Sequence, residues 1–452
     1  LNMGKKSNLE DTEKVHNYTH YLVLPLKFVA CWDWFPKPTK EYQIIINNIY
    51  LALVLFVLSN LPIALTIHLY TEWEDIMESL EKIADGLPIV VSVAIVAYFA
   101  SHKDQLYDLV EYMNKNFKFY SAKGLTNMTM RQSYNRAKNF AFVYTACTLF
   151  SVTMYVMLPI VVHLWTRTPL QLWVYKDAHG PFFAIMFLRQ AVGQAFVGLA
   201  MGQLGVFFAA NAILLCGQYD LLCCSLRNVR YTALLQRGVS HTAIAKAHSD
   251  IVSDERHNYI YSSAELKQSD YHYDGLLRDD FNGNITEFDI YSPAYDEATC
   301  AALQECARVC QAAAEYKQRF ELFVSPLLAL RVVQVTLYLC MLLYAATLKF
   351  EMITVEYLAA VALDIFVYCY FGNQIILQAS RVSTAAYQSA WPSMGAKPRR
   401  MLLNILLANK RPVVVRAGRF LPMDLHTFVV IIKTSFSYYT LLVNVNENKS
   451  KH

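Results

Sequence analysis

Apolar positions in this chain run on in stretches of roughly 20 residues or more, the length a helix needs to cross about 30 Å of hydrocarbon. Polar segments separate them. Seven such spans are read: Tyr42–Tyr70, Ile76–Ser101, Ala137–Leu164, Phe182–Leu222, Phe323–Leu348, Val355–Ala379 and Leu425–Val445. The third and fourth exceed the minimum with their flanks, which predicts tilt or extension beyond the bilayer. The pattern predicts an all-α polytopic membrane protein with seven transmembrane helices.

Composition agrees. Of the 452 residues, 55% are hydrophobic and 17% charged, below the roughly 25% charged residues usual in soluble domains. The net charge of +4 is too small to suggest nucleic acid. Where the charges lie is more informative. The N-terminal tail and the segments after spans two, four and six hold roughly 30 Lys and Arg, against about 5 on the other side, and such an excess marks the cytoplasmic face. The N-terminus is therefore expected inside and, after seven crossings, the C-terminus outside. The polar N-terminal stretch lacks an early apolar run and a small-residue cleavage site, so the first span is expected to act as the insertion signal.

All ten cysteines fall in spans or on the expected cytoplasmic side, which suits reduced thiols. Cys306 and Cys310 stand four apart on a helical run, but no further ligand completes a metal site, and no cofactor is expected. The sequons at Asn17, Asn127 and Asn284 would be cytoplasmic; Asn448 would lie outside. Residues 231–300 are rich in Tyr, Asp, Ser and His and poor in aliphatic carbon, which predicts a largely disordered cytoplasmic insert. A partner-binding role for it is open. No internal repeat and no Asp-Arg-Tyr or Asn-Pro-x-x-Tyr motif appears, so a transporter or a G-protein-coupled receptor is disfavoured. The charge bias is also the reverse of the latter.

On a 3.6-residue helix Ser437, Leu441, Asn444, Val445 and Asn448 share one face of the last span. Polar groups left unsatisfied in lipid cost roughly 2–7 kcal/mol each. Two arrangements avoid that cost: a water-filled path lined by this face, or hydrogen bonds to neighbouring helices within one bundle. The preceding "KPRRMLLNILLANKR" is a basic amphipathic helix too short in apolar residues to span. Pro412 and Gly418 are expected to separate it from the last span.

The C-terminal hundred residues, from "CYFGNQIILQASRVSTAAYQSAWPSM" to "FVVIIKTSFSYYTLL", resemble the signature of insect odorant receptors. The matching residues are Gly372-Asn373, Ser383, Ala386-Tyr387, Trp391, Arg399, Pro412, Ala417-Gly418, Phe420, Phe428 and the run Lys433–Tyr438. The external "LQLWVYKDAHG" is similar as well. The resemblance implies an odorant-gated, non-selective cation channel in the plasma membrane of olfactory sensory neuron dendrites. Its pore would be shared in a tetramer with co-receptor subunits, this chain being the variable, odorant-binding subunit. The organisation implied is a cytoplasmic tail (1–41), four helices (42–224), a cytoplasmic loop (225–322), two helices (323–396), a cytoplasmic anchor helix (397–420), a pore-lining helix (421–445) and an extracellular tail (446–452). A gustatory receptor of the same superfamily is the alternative, with the same architecture and another ligand.

By the same resemblance the gate lies at Leu441, Asn444 and Val445, with Ser437 on the pore face. Leu441 and Val445 would close it by dewetting. Small volatile hydrophobic odorants would bind in the outer half of the bundle of spans two, three, four and six. The candidates there are Ile83, Leu87 and Val91; Tyr155, Val156 and Pro159; Ile185, Met186, Arg189 and Gln190; and Tyr357, Val361, Asp364 and Tyr368. Ordinary bundle packing is the competing reading for each. Asp364 is the sharpest, since intramembrane charge is costly and turns to a cavity or a partner. Arg331 is placed toward the inner end of span five, on a different level from Asp364, with a structural role.

Overall fold

The computed structural model describes residues 23–71, 76–119, 121, 130–166, 181–240, 243–244, 247, 283–348 and 352–450. The N-terminal 22 residues, the "LQLWVYKDAHG" element, the middle of the 231–300 segment, the Asn17 and Asn127 sequons and the last two residues lie outside these.

The chain folds into helices α1 (Glu41–Thr71), α2 (Ile76–Ser101), α3 (Lys103–Asn116), α4 (Arg131–Thr166), α5 (Pro181–Arg227), α6 (Val229–Gln236), α7 (Asp296–Leu348), α8 (Met352–Tyr387), α9 (Ala396–Ala408) and α10 (Leu425–Ser450). A two-stranded antiparallel hairpin, β1 (Arg416–Ala417) with β2 (Leu421–Pro422), precedes α10. Among the described residues seven helices have 26 residues or more, one for each expected span. Four of these are long and apolar enough to cross a bilayer, within Glu41–Ile67, Phe183–Arg227, Pro293–Leu343 and Leu358–Tyr387. The end of α2 and α3, bent by 67° between them, form a fifth candidate.

Helix α5 is the hub. It packs on α8, α4, α7, α2 and α1, and 78% of its most apolar window is buried, against 22% for α1. Its lower half meets α7 through Phe207, Phe208, Phe320 and Phe323, with ring centroids 5.4–6.3 Å apart. Phe99 joins them from α2, 5.2 Å from Phe323. Edge-on aromatic pairs of this kind fill volume with favourable quadrupole geometry.

Helix α7 runs well past its expected span. The fifth was expected from Phe323, yet α7 begins at Asp296. Ala, Cys and Leu on one side of 296–322 are matched by charges at helical spacing on the other, as in Glu315–Arg319 and Lys317–Glu321, and such pairs support a solvated helix face. Lys118 pairs with Glu305 on the same stalk, and that contact, with Arg308, holds the Glu305 carboxyl below the usual carboxylate range.

The expected disorder of 231–300 does not hold at either end. Val229–Gln236 is helical, with Tyr231, Leu234 and Leu235 buried. The returning residues are fixed by Arg230, which is fully buried. Its guanidinium donates to the Ile290 and Ser292 carbonyls at 2.7 and 2.9 Å and to Asp296 and Thr299 at 2.9 Å each. A buried guanidinium is tolerable when its donors are met by a carboxylate and carbonyls in this way.

Candidate functional site

The expected ligand residues sit on α2, α4, α5 and α8, and α5 touches each of the other three. Val91 and Tyr368 are buried, and Leu87, Val156, Met186, Gln190 and Val361 are half-buried. Gln190 keeps its amide oxygen out of solvent, with no hydrogen-bond partner among the described residues. Ile185 is exposed, and Arg189, also exposed, donates to Asn60 of α1. One face of α5 thus turns toward α1 and the surroundings, the other toward the bundle. The side chains of Ile83, Tyr155, Pro159 and Tyr357 lie outside the described residues.

At the floor of this region the structure corrects one expectation. Arg331 and Asp364 stand level and form a buried ion pair. The Tyr144 hydroxyl of α4 donates to the other Asp364 oxygen at 3.2 Å. Arg331 also donates to Gln334 and lies 3.1 Å from the Met201 sulfur of α5. Tyr368, one turn beyond Asp364, borders both charges and packs on Phe208 with centroids 5.5 Å apart. One polar knot therefore ties α4, α5, α7 and α8. The misjudged level comes from counting along each span separately, whereas the pairing depends on how α7 and α8 sit against each other. The rule that two intramembrane charges of opposite sign seek each other would have found the pair. Tyr144 carried no comparable signal.

Helix α10 is positioned by the residues just before it. Gly418 has φ +59°, a left-handed turn that glycine adopts at little cost. Its N–H donates to the Ser325 carbonyl at 3.0 Å, and Arg419 N–H to the Ser325 hydroxyl at 2.9 Å, which pins the hairpin to α7. Gly372 of α8 lies under the Met423 carbonyl; a Cβ there would stand 2.1 Å from that oxygen. Asp424 accepts from the Thr427 N–H at 2.7 Å and caps α10. The short helix α9 packs on α7 and α8.

Within α10, Thr427, Ile431 and Ser435 recur every fourth residue and are buried. Ser435 reaches the Thr336 carbonyl of α7 at 3.4 Å, and Phe428 packs edge-on against Phe366 of α8 at 5.5 Å. Lys433, Ser437 and Leu441 are exposed, Leu441 at 60%. The chain's own bundle thus takes one face of α10 and leaves the Ser437–Leu441 face open. The side chains of Asn444 and Val445, farther along the same helix, lie outside the described residues.

A family profile described as 7tm Odorant receptor matches residues 80–436. Putative odorant receptor 85e of Drosophila melanogaster is 24% identical over 431 residues, 92% of this chain and 89% of that one. Odorant receptor 83a of the same fly is 25% identical over 362 residues, 78% and 77% of the two chains. The olfactory receptor OR5 of Machilis hrabei, solved in complex with eugenol, superposes with a TM-score of 0.71 at 15% identity, covering 96% of this chain and 100% of that one. With a matched profile spanning most of its length, this chain belongs to the insect odorant receptor family.

Proposed function

We propose that this chain is the odorant-binding subunit of a ligand-gated cation channel, with all seven long helices crossing the plasma membrane, the N-terminus inside and α10 lining a pore shared with co-receptor subunits. The observation that carries this reading is the division of α10. Its buried stripe packs on α7 and α8, while Lys433 and Ser437 remain on an open face that lipid would penalise. A neighbouring subunit around a water-filled axis removes that penalty. Leu441 on the same face would form an apolar constriction that closes by dewetting, with Asn444 and Val445 following it.

The odorant site is the half-buried region of Leu87, Val91, Val156, Met186, Gln190 and Val361, above the Arg331–Asp364 pair. Such a lining suits a small volatile molecule with few polar atoms. The unpartnered Gln190 amide oxygen accepts one donor from the ligand. The complex of Machilis hrabei OR5 with eugenol supports the ligand class by analogy. From this site, α7 runs to the pore helix through the Thr336–Ser435 contact.

Odorant-evoked cation current, recorded with and without the co-receptor, tests the assignment. Current is expected only from the pair, and Leu441→Ser is expected to raise the current that flows without odorant. Absence of current under every pairing, with surface expression established, overturns the function. Current from this chain alone overturns the subunit role.

A further inference from the structure

A second cavity lies far from the bundle site, where the segment before α1 folds back against α3. Its volume is about 530 Å³, within the range of roughly 300–1,000 Å³ typical of ligand clefts. Its walls are built. Asn47 of α1 exchanges two hydrogen bonds with the Phe35 backbone, at 3.0 and 3.3 Å. Tyr107 of α3 donates to Asp33 at 2.8 Å, and Lys103 holds the other Asp33 oxygen. Trp32 stacks edge-on against Tyr107 at 4.9 Å.

Three features of this cavity point to one occupant. The first is the rim, where Lys37 and Glu111 face each other at 3.2 Å with 86% and 68% of their side chains exposed. A pair so exposed has little net worth and is free to exchange for a ligand that presents both charges. The second is Trp32 in the wall. It is 7% exposed, and its indole N–H is shut off from solvent with no acceptor among the described residues, so the ring meets the cavity as an apolar, aromatic wall. The third is the surface above. Gln43 lines the cavity, and from it Ile46, Ile49, Leu53 and Phe56 climb one face of α1, each 44–69% exposed. Ten residues of helix rise about 15 Å, half of the roughly 30 Å hydrocarbon core. Trp34 and Tyr50, 5.9 Å apart, with Lys27 over the Trp34 ring, form an aromatic and basic belt at the foot of that face, the composition of a membrane–water interface.

We infer that this cavity holds the headgroup of a zwitterionic phospholipid in the leaflet at the N-terminal end of α1. The phosphate meets Lys37, the ammonium meets Glu111 among the aromatic rings, and one acyl chain lies along Ile46–Phe56. A purely anionic headgroup would leave Glu111 opposed by like charge. The inference needs α1 to span the membrane, not the chain to conduct ions.

Native mass spectrometry of the detergent-purified full chain, supplied with phosphatidylethanolamine, phosphatidylcholine or phosphatidylglycerol, tests it. The zwitterionic lipids are expected to be retained over phosphatidylglycerol, and the ratio between the first two reports how much the ammonium protons contribute. Lys37→Ala with Glu111→Ala is expected to lower retention about tenfold, the scale of two lost charge contacts. The exchange Lys37→Glu with Glu111→Lys is expected to keep it. Thermal unfolding of each variant separates lost binding from lost fold. Equal retention by wild type and the Ala pair, or preference for phosphatidylglycerol, overturns the proposal.

Discussion

Helices α1 and α5 are both apolar enough to span a membrane, yet polar residues in the second half of α1 and those along α5 send most of their hydrogen bonds to different places. In α5, Gln203 donates to Thr145 of α4 at 3.2 Å, and Asn211 accepts from Tyr316 of α7 at 2.5 Å. Gln218 exchanges bonds of 2.7 and 3.1 Å with the Lys118 backbone. In α1, the Ser59 and Thr66 hydroxyls turn back to carbonyls of their own helix at 3.2 and 2.7 Å. Asn60 sends its amide nitrogen to Phe56 and only its oxygen to Arg189. A helix in contact with lipid must satisfy its polar groups locally, because hydrocarbon offers no partner. A helix enclosed by protein spends them on its neighbours and thereby fixes their register. Apolar content does not tell the two apart; the destination of the side-chain hydrogen bonds does.

That contrast can be broken most sharply at the polar knot. Arg331→Leu or Asp364→Leu alone leaves a buried charge without its partner and is expected to cost about 3–5 kcal/mol, while the double replacement returns most of it. Thermal unfolding in detergent reads all three, and additive losses in the double variant would refute the pairing. Asn211→Leu on α5 strands the Tyr316 hydroxyl and is expected to cost about 1–3 kcal/mol, recovered in part by Tyr316→Phe. The same assay gives the coupling as a double-mutant cycle. On α1, Thr66→Val removes only an intrahelical bond and is expected to change stability by less than about 0.5 kcal/mol. A loss as large as that of Asn211→Leu would mean that α1 has a protein partner on that side.

Much of this was legible beforehand. Long apolar runs gave the helices and their order, and Pro412 and Gly418 fell where the chain breaks between α9 and α10. What escaped depended on distant contacts. The short helix carrying Tyr231 and Leu234 sits in a stretch of polar composition, and only the Arg230 bonds to residues 60 or more positions later explain its order. The stalk of α7 reads as a loop when hydropathy is the guide, because its stability comes from charge pairs and from packing against α3, α6 and α9. The Arg331–Asp364 pair needed the relative heights of two helices, which no single run of residues encodes.

The Arg230 clasp also bears on how this protein can vary. Next to it, Ser240 N–H donates to the Ile285 carbonyl at 2.8 Å, and Ile285 N–H to the Gly238 carbonyl at 3.1 Å. Departure and return of the intervening stretch are thus stitched at one spot. With both ends anchored, doubling the length of a flexible connection between them adds only about 0.6 kcal/mol of closure entropy. A reporter spliced beyond Ile244, which is buried against Tyr231 and Leu234, is therefore expected to leave the melting temperature of the bundle close to that of the parent chain.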